Sequence, residues 1–186
     1  KYILNKKYMY TKKNQGNVPK CKDERLRYVP VKCGKCIECR KEKARNWRIR
    51  LAEELKKSPN ALFITLTFNE KNYQQLAWEL FKKSKENLNY TEQNKMCKTA
   101  VRRWLERIRK KTKRSIKHWL VTEKGEDYGR IHLHGIVWCP RKRIDQWGYG
   151  YTYIGDYVNQ TTVAYITKYM LKVCEKWPDF RGKVMC

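Results

Sequence analysis

The stretch "KHWLVTEKGEDYGRIHLHGIVWC", residues 117–139, decides the fold. Two runs rich in Val, Ile and Trp flank "KGEDYG", whose Gly and Asp residues favour a turn. Residues 117–123 read as one strand and 130–139 as a second, joined as an antiparallel hairpin. Side chains alternate between faces along a strand. His132, His134 and Ile136 therefore share one face, while Ile131, Leu133 and Val137 share the other and can enter a core. Two of the chain's three histidines thus stand side by side, roughly 7 Å apart at their bases.

Outward from the hairpin, "ALFITLTF", residues 61–68, predicts a third, mostly buried strand with Thr65 and Thr67 alternating against Ile64, Leu66 and Phe68. From Ile37 to about Lys57, Ala44, Trp47, Leu51 and Leu55 recur at helical spacing, and "SPN", residues 58–60, stops the run. Residues 69–93 are polar and partly helical. A second helix from about Asn94 to Lys111 presents Cys97, Val101, Trp104, Leu105 and Ile108 on one face. Residues 148–158 alternate Gly and Tyr, as a short strand or a loop. A last helix begins near Thr161 or Thr162, either a plausible N-cap, and runs to about residue 177. This order predicts an α+β fold: a mainly antiparallel central sheet with helices packed on one face. Residues 1–58 form a basic N-terminal segment and helix, irregular up to about residue 35, and residues 59–186 form the core; the two can make one compact domain.

Charge sets the partner class. The 186 residues carry 44 Lys and Arg against 18 Asp and Glu, a net +26. Such self-repulsion calls for a polyanion, and nucleic acid is the usual one. The basic runs are interleaved with aromatics, and seven Trp and thirteen Tyr offer faces on which unpaired bases can stack. Arg102, Arg103 and Arg107 on the second helix, with Arg130 at the start of the histidine strand, are the candidate DNA contacts. No apolar run reaches the roughly 20 residues a bilayer span needs, so no membrane role is expected. No secretory signal is visible, and a start at Lys1 rather than Met leaves flanking parts open.

The chemistry gathers at two places. Glu123 ends the strand that precedes the histidines, close enough in a hairpin to be a third ligand, with Glu126 in the turn as the fallback. Two imidazoles and one carboxylate suit a divalent ion with open positions for phosphate oxygens, Mg²⁺ or Mn²⁺ foremost. Non-haem iron oxygenases use the same trio, but that reading explains neither the basicity nor a nucleophile. The nucleophile comes from "YITKYMLK", residues 165–172. At about 100° per residue, Tyr165, Lys168, Tyr169 and Lys172 share one helix face, and Ile166, Met170 and Leu171 on other faces are enough for packing. A lysine and a metal nearby can favour the phenolate, which an isolated phenol resists at neutral pH.

These motifs resemble the HUH endonucleases, and most closely the replication initiators of the microviruses, small single-stranded DNA bacteriophages. "FITLTF" matches the apolar strand ending in Thr, "TEKGEDYGRIHLHGIVW" the His-hydrophobe-His strand preceded by Glu, and "YITKYMLK" the double-tyrosine helix. "VPVKCGKCIECRKEKARNW" is similar to the cysteine-bearing start of those initiators, so the resemblance runs over most of residues 17–175. It implies rolling-circle initiation. Tyr165 and Tyr169 would act as nucleophiles, His132, His134 and Glu123 as metal ligands, and Lys168 and Lys172 as stabilisers of phenolate or phosphate. The substrate would be the single-stranded viral origin, nicked through a 5′-phosphotyrosine. The setting would be the cytoplasm of an infected bacterium, with the host's helicase and polymerase as partners. The chain has no Walker-type phosphate loop of its own.

Eight cysteines without an export signal favour thiols or metal over disulfides. Cys33, Cys36 and Cys39, with Cys21 as a fourth, could close a structural Zn²⁺ site. Cys97, Cys139, Cys174 and Cys186 read as packing residues or free thiols. A second class of function stays open on these features: a zinc-stapled nucleic-acid-binding regulator without catalysis. A single-tyrosine relative such as a transposase is a third option, less suited to two tyrosines in matching Y-x-x-K frames.

Overall fold

The computed structural model describes residues 2–34, 36–125, 129–144, 147–172, 176, 178 and 180–186. The chain divides into two compact units, Lys1–Arg40 and Lys41–Cys186. In the first, β1 (Tyr2–Leu4) pairs antiparallel with β2 (Tyr28–Pro30), a two-stranded sheet inside a segment whose sequence reads as irregular.

The second unit holds the sheet. Helix α1 (Ile37–Lys57) leads into β3 (Leu62–Thr67), α2 (Glu70–Phe81) and α3 (Tyr90–Thr112). Then come β4 (Lys117–Lys124), β5 (Ile131–Trp138), β6 (Thr152–Gly155), α4 (Gln160–Lys168) and β7 (Val184–Met185). The five strands of this sheet lie in the order β6-β3-β5-β4-β7 with every pairing antiparallel. The α+β class expected from the sequence is the one found.

Strand alternation makes two cores. Ile64, Leu66, Leu120, Leu133 and Val137 point to one face and pack under α2 and α3, against Leu76, Met96, Val101, Trp104 and Ile108. Trp119, Val121 and Ile136 point to the other face, where Ala44 and Leu51 of α1 and Val163 and Ile166 of α4 cover them. Helices thus occupy both faces, not one. A sequence cannot assign a helix to a side of a sheet when each helix has only one apolar stripe to offer.

Capping explains where the helices start. Asn89 and Glu92 form a reciprocal capping box on α3, which therefore begins at Tyr90, four residues before the start expected near Asn94. Helix α4 is capped by Asn159, whose side chain accepts from the Thr162 backbone N–H at 2.8 Å. Neither Thr161 nor Thr162 is the cap; Thr162 sits at the third helical position and hydrogen-bonds back. Helix α4 is also shorter than expected. After Lys168 the backbone tightens to i→i−3 bonds, Met170 N to Thr167 O and Leu171 N to Lys168 O. Residues 173–175 and 177 of the expected helix, with the fallback ligand Glu126 and the scattered Cys174, lie outside the described residues.

Gly135 lets β4 and β5 close on one another. A Cβ there would lie 2.0 Å from the Trp119 carbonyl oxygen and 2.8 Å from Leu120 Cα, backbone atoms that cannot swing aside. Gly135→Ala is expected to cost about 3 kcal/mol and lower the melting temperature by roughly 6–12 °C. A thermal melt checks this; a fall of less than about 2 °C contradicts it.

Candidate functional site

The strand register builds the site in rows across the sheet. Glu123 on β4 stands opposite His132 on β5, which stands opposite Thr67 on β3. The next row places Val121, His134 and Thr65 in line. Glu123 Oε2 lies 2.7 Å from His134 Nε2, and Thr65 Oγ1 lies 3.0 Å from His134 Nδ1. With Nε2 facing the Glu123 carboxylate, that nitrogen carries the proton and donates, and the Thr65 hydroxyl can donate to a bare Nδ1 or accept from a protonated one. The second carboxylate oxygen, Oε1, accepts from Lys172 Nζ at 2.6 Å.

Helix α4 and the turn after it lower two phenols onto this floor. The Tyr169 ring stacks on His134 at 4.8 Å between centroids, 14° from parallel. Its hydroxyl donates to the Tyr165 hydroxyl. Lys168 Nζ sits 4.3 Å from the Tyr165 ring centroid and 5.8 Å from that of Tyr169. Because Tyr169 keeps helical dihedrals as the C-cap residue, the one-turn spacing of the two tyrosines survives the early end of α4. The phenols differ in access: Tyr165 is 43% exposed and Tyr169 only 5%. The sequence assigns packing to Ile166, Met170 and Leu171; Tyr169 belongs to that core as well. Gly182, in the segment leading to β7, lies against the Tyr169 backbone: a Cβ there would be 2.6 Å from its carbonyl oxygen.

The electrostatics follow from burial and neighbours. Burial pushes the Glu123 carboxyl up, but its hydrogen bonds to His134 and Lys172 pull harder and leave it below the usual carboxylate range. Burial, helped by the neighbouring His134, holds His132 below the usual imidazole range and so neutral. Burial raises the Tyr169 phenol, and its hydrogen bond to Tyr165 raises it further. An ionised carboxylate and a neutral imidazole are the ligating forms, so the donor chemistry fits a divalent cation. The donors are not drawn into a tight cluster: the two histidine rings are 6.2 Å apart. The surrounding cavity measures about 1000 Å³ and also takes in Thr67, Gly125 and Tyr151. The sequence marks Thr65 and Thr67 only as strand residues. Tyr151 carries no signal there, because its place beside Thr67 depends on which strand pairs with β3.

The four arginines are dispersed. Arg102, Arg103 and Arg107 lie on α3, over the sheet face opposite the histidines, and line a shallow depression of about 490 Å³ with Glu106 and Lys110. Arg103 is ion-paired with Glu79, and Arg107 Nη2 donates to the Trp147 carbonyl at 2.7 Å. Arg130 opens instead into a separate depression beside Phe68 and Tyr73.

In the N-terminal unit the sulfurs of Cys33, Cys36 and Cys39 lie within 4.8 Å of one another and could hold a metal such as zinc. Cys21 is not in this group; its thiol donates to the Asp23 carbonyl at 3.0 Å. A backbone N–H at Cys39 lowers the Cys36 thiol, but hydrogen bonds with the Cys33 and Cys39 side chains, desolvation and repulsion from Cys33 outweigh it and raise the thiol overall. Thiolates this close need a cation between them.

The molecule is therefore an α+β protein whose sheet carries an acid–imidazole row under paired tyrosines. The sequence profile of a replication-associated protein family, the ORF2 type, matches residues 61–174, more than half of the chain and every residue of the cavity named above. The chain belongs to this family of replication-associated proteins. Searches of curated proteins and of solved structures gave no match. None of the described helices is long and apolar enough to cross a membrane.

Proposed function

We propose that this protein is an HUH-type endonuclease and strand transferase that initiates rolling-circle replication, of the kind found in microviruses. One observation carries the reading: the Tyr169 ring stacks on His134, which pairs with Glu123, and its hydroxyl meets that of Tyr165 at the same cavity. A purely structural sheet face has no use for a half-buried carboxylate, two imidazoles and two ammonium groups gathered at one opening.

In this reading single-stranded origin DNA enters the cavity with its scissile phosphate beside Tyr165, the exposed phenol. The Tyr165 oxygen bonds to phosphorus as the P–O3′ bond breaks. The phenolic proton leaves to solvent and the departing 3′ oxygen takes one up. One phosphodiester replaces another, so a later 3′-OH can reverse the step without ATP. Tyr169, which donates its hydroxyl to Tyr165, steadies negative charge on that oxygen during attack, and Lys168 supplies positive charge beside the ring. Tyr169 then serves as the second nucleophile while Tyr165 still holds the first 5′ end. His132, His134 and Glu123 would hold Mg²⁺ or Mn²⁺, which when bound polarises the phosphate and offsets charge on the leaving oxygen. Lys172 keeps Glu123 ionised and oriented. The arginines of α3 and Arg130 bind DNA phosphates away from the cut. The host's helicase and polymerase would extend the freed 3′ end in the cytoplasm of the infected bacterium.

The test uses a randomised pool of single-stranded oligonucleotides with Mn²⁺, followed by a denaturing gel. A DNA–protein adduct with a free 3′-OH fragment is expected. Tight binding with no adduct under any divalent ion would leave the zinc-stapled binding protein as the better reading.

The cysteine trio is assigned a structural Zn²⁺, with its fourth ligand left to water or another donor. Purified protein is expected to carry about one zinc per chain, and Cys36→Ser to lose it, while Cys21→Ser keeps it. Metal analysis of the three proteins decides; equal zinc in wild type and Cys36→Ser refutes the site.

A further inference from the structure

We infer that Tyr151 and Tyr153 form a stacking shelf for the bases that flank the scissile phosphate. This rests on the nuclease reading of the neighbouring cavity and names a contact surface that reading does not use.

The shelf follows from register. Tyr153 stands opposite Thr65 across β3, and the Thr67 backbone N–H bonds the Tyr151 carbonyl at 2.9 Å. Thr65 contacts His134 on the site face, and directly paired residues share a face. Tyr151 and Tyr153 therefore continue the two site rows to the sheet's edge: Tyr151–Thr67–His132–Glu123 and Tyr153–Thr65–His134–Val121. Each tyrosine stands two strands from a histidine, about 10 Å, a distance adjacent nucleotides readily cover.

Both rings are open. Tyr151 is 67% exposed and Tyr153 51%, whereas Trp119, Val121 and Ile136 on the same face are buried under α1 and α4. Strand β6 is an edge strand, with no further described strand beyond it in the sheet. Tyr153 is braced rather than covered: its ring meets Phe63 edge-on at 6.3 Å. Gly155, whose added Cβ would lie 3.6 Å from Tyr153 Cε1, leaves the strand end low beside it. Tyr151 lines the cavity itself.

The occupant is settled by charge and continuity. A polyanion is the partner a chain of net +26 attracts, and the shelf runs without a break into the cavity proposed to take a phosphodiester. Unpaired bases have π-faces that stack on tyrosine whatever their identity. Duplex DNA does not expose those faces, so the shelf selects single strands.

The test is fluorescence anisotropy with a labelled oligothymidylate and a base-free strand of equal length. Wild type is expected to bind the thymidylate at least about tenfold more tightly than the base-free strand. Tyr151→Ala with Tyr153→Ala should lose roughly 10- to 100-fold on the thymidylate and almost nothing on the base-free strand. Tyr151→Phe with Tyr153→Phe should bind like wild type, because the stacking ring remains. The salt dependence should not change, since phosphate contacts are untouched. A double-alanine protein that binds thymidylate within about twofold of wild type while wild type still forms the covalent adduct overturns the shelf alone. Wild type that neither binds single strands nor forms an adduct overturns the nuclease reading, and the shelf with it.

Discussion

Replacing both phenols, Tyr165→Phe with Tyr169→Phe, is expected to lower adduct formation by at least about 10³-fold while leaving single-strand affinity within about threefold of wild type. The magnitude follows from losing both of the phenolic oxygens at the histidine cavity. The two tyrosines should not be equivalent. Tyr165 is the accessible phenol and accepts the hydrogen bond, whereas Tyr169 is nearly buried and donates it. Tyr165→Phe alone should therefore abolish most first cleavage. Tyr169→Phe should slow it less, roughly 10- to 100-fold, the worth of one hydrogen bond to a developing charge, yet block transfer of a second strand. Folding should survive both changes, because the phenyl ring still stacks on His134 and fills the same core. Equal losses from the two single variants would mean that access does not decide the order of use. An adduct persisting in the double variant would remove the tyrosines from the chemistry altogether.

The local features of this site are legible in the sequence because they are periodic. Alternation along residues 131–137 puts the histidines on one face, and helical spacing puts Tyr165 and Tyr169 one turn apart. Both hold in the structure. What the sequence cannot carry is anything fixed by long-range pairing. Thr65 bonds His134 across 69 positions, and Tyr151 enters the cavity only because β6 adds to the free edge of β3. The same limit applies to the helices: α1 and α4 sit on one side of the sheet and α2 and α3 on the other, which no single amphipathic stripe declares. The cap of α4 falls on Asn159 rather than on either threonine. Asn159 competes for the N-cap with its neighbours and wins, since Asn at that position leaves Thr162 free to close the box. The cysteines divide in the same way. The C-x₂-C-x₂-C spacing is local and brings three sulfurs together; Cys21 depends on how a loop returns, and it is bonded within its own turn.

The histidine row makes the second large prediction. His132→Ala with His134→Ala should reduce metal-dependent cleavage roughly 10³-fold, and chelation of the wild type should do the same. The two positions differ in what else they hold. His134 is gripped by Thr65, Glu123 and the face of Tyr169, so His134→Ala also loosens the phenol above it and should lower the melting temperature. His132 does not carry the Tyr169 ring in this way; His132→Ala should spare stability and cost mainly affinity for the ion, so that raised Mn²⁺ restores part of the rate. Glu123→Gln keeps the shape of the carboxylate but removes the negative charge that would face the cation, and the variant should bind Mn²⁺ at least about tenfold more weakly. Manganese titration followed by electron paramagnetic resonance reads these affinities without any DNA present, which separates loss of the ion from loss of the cut. If the double-histidine protein binds Mn²⁺ as wild type does, the sheet face is not a cation site, and the tyrosines must be activated by Lys168 and Lys172 alone.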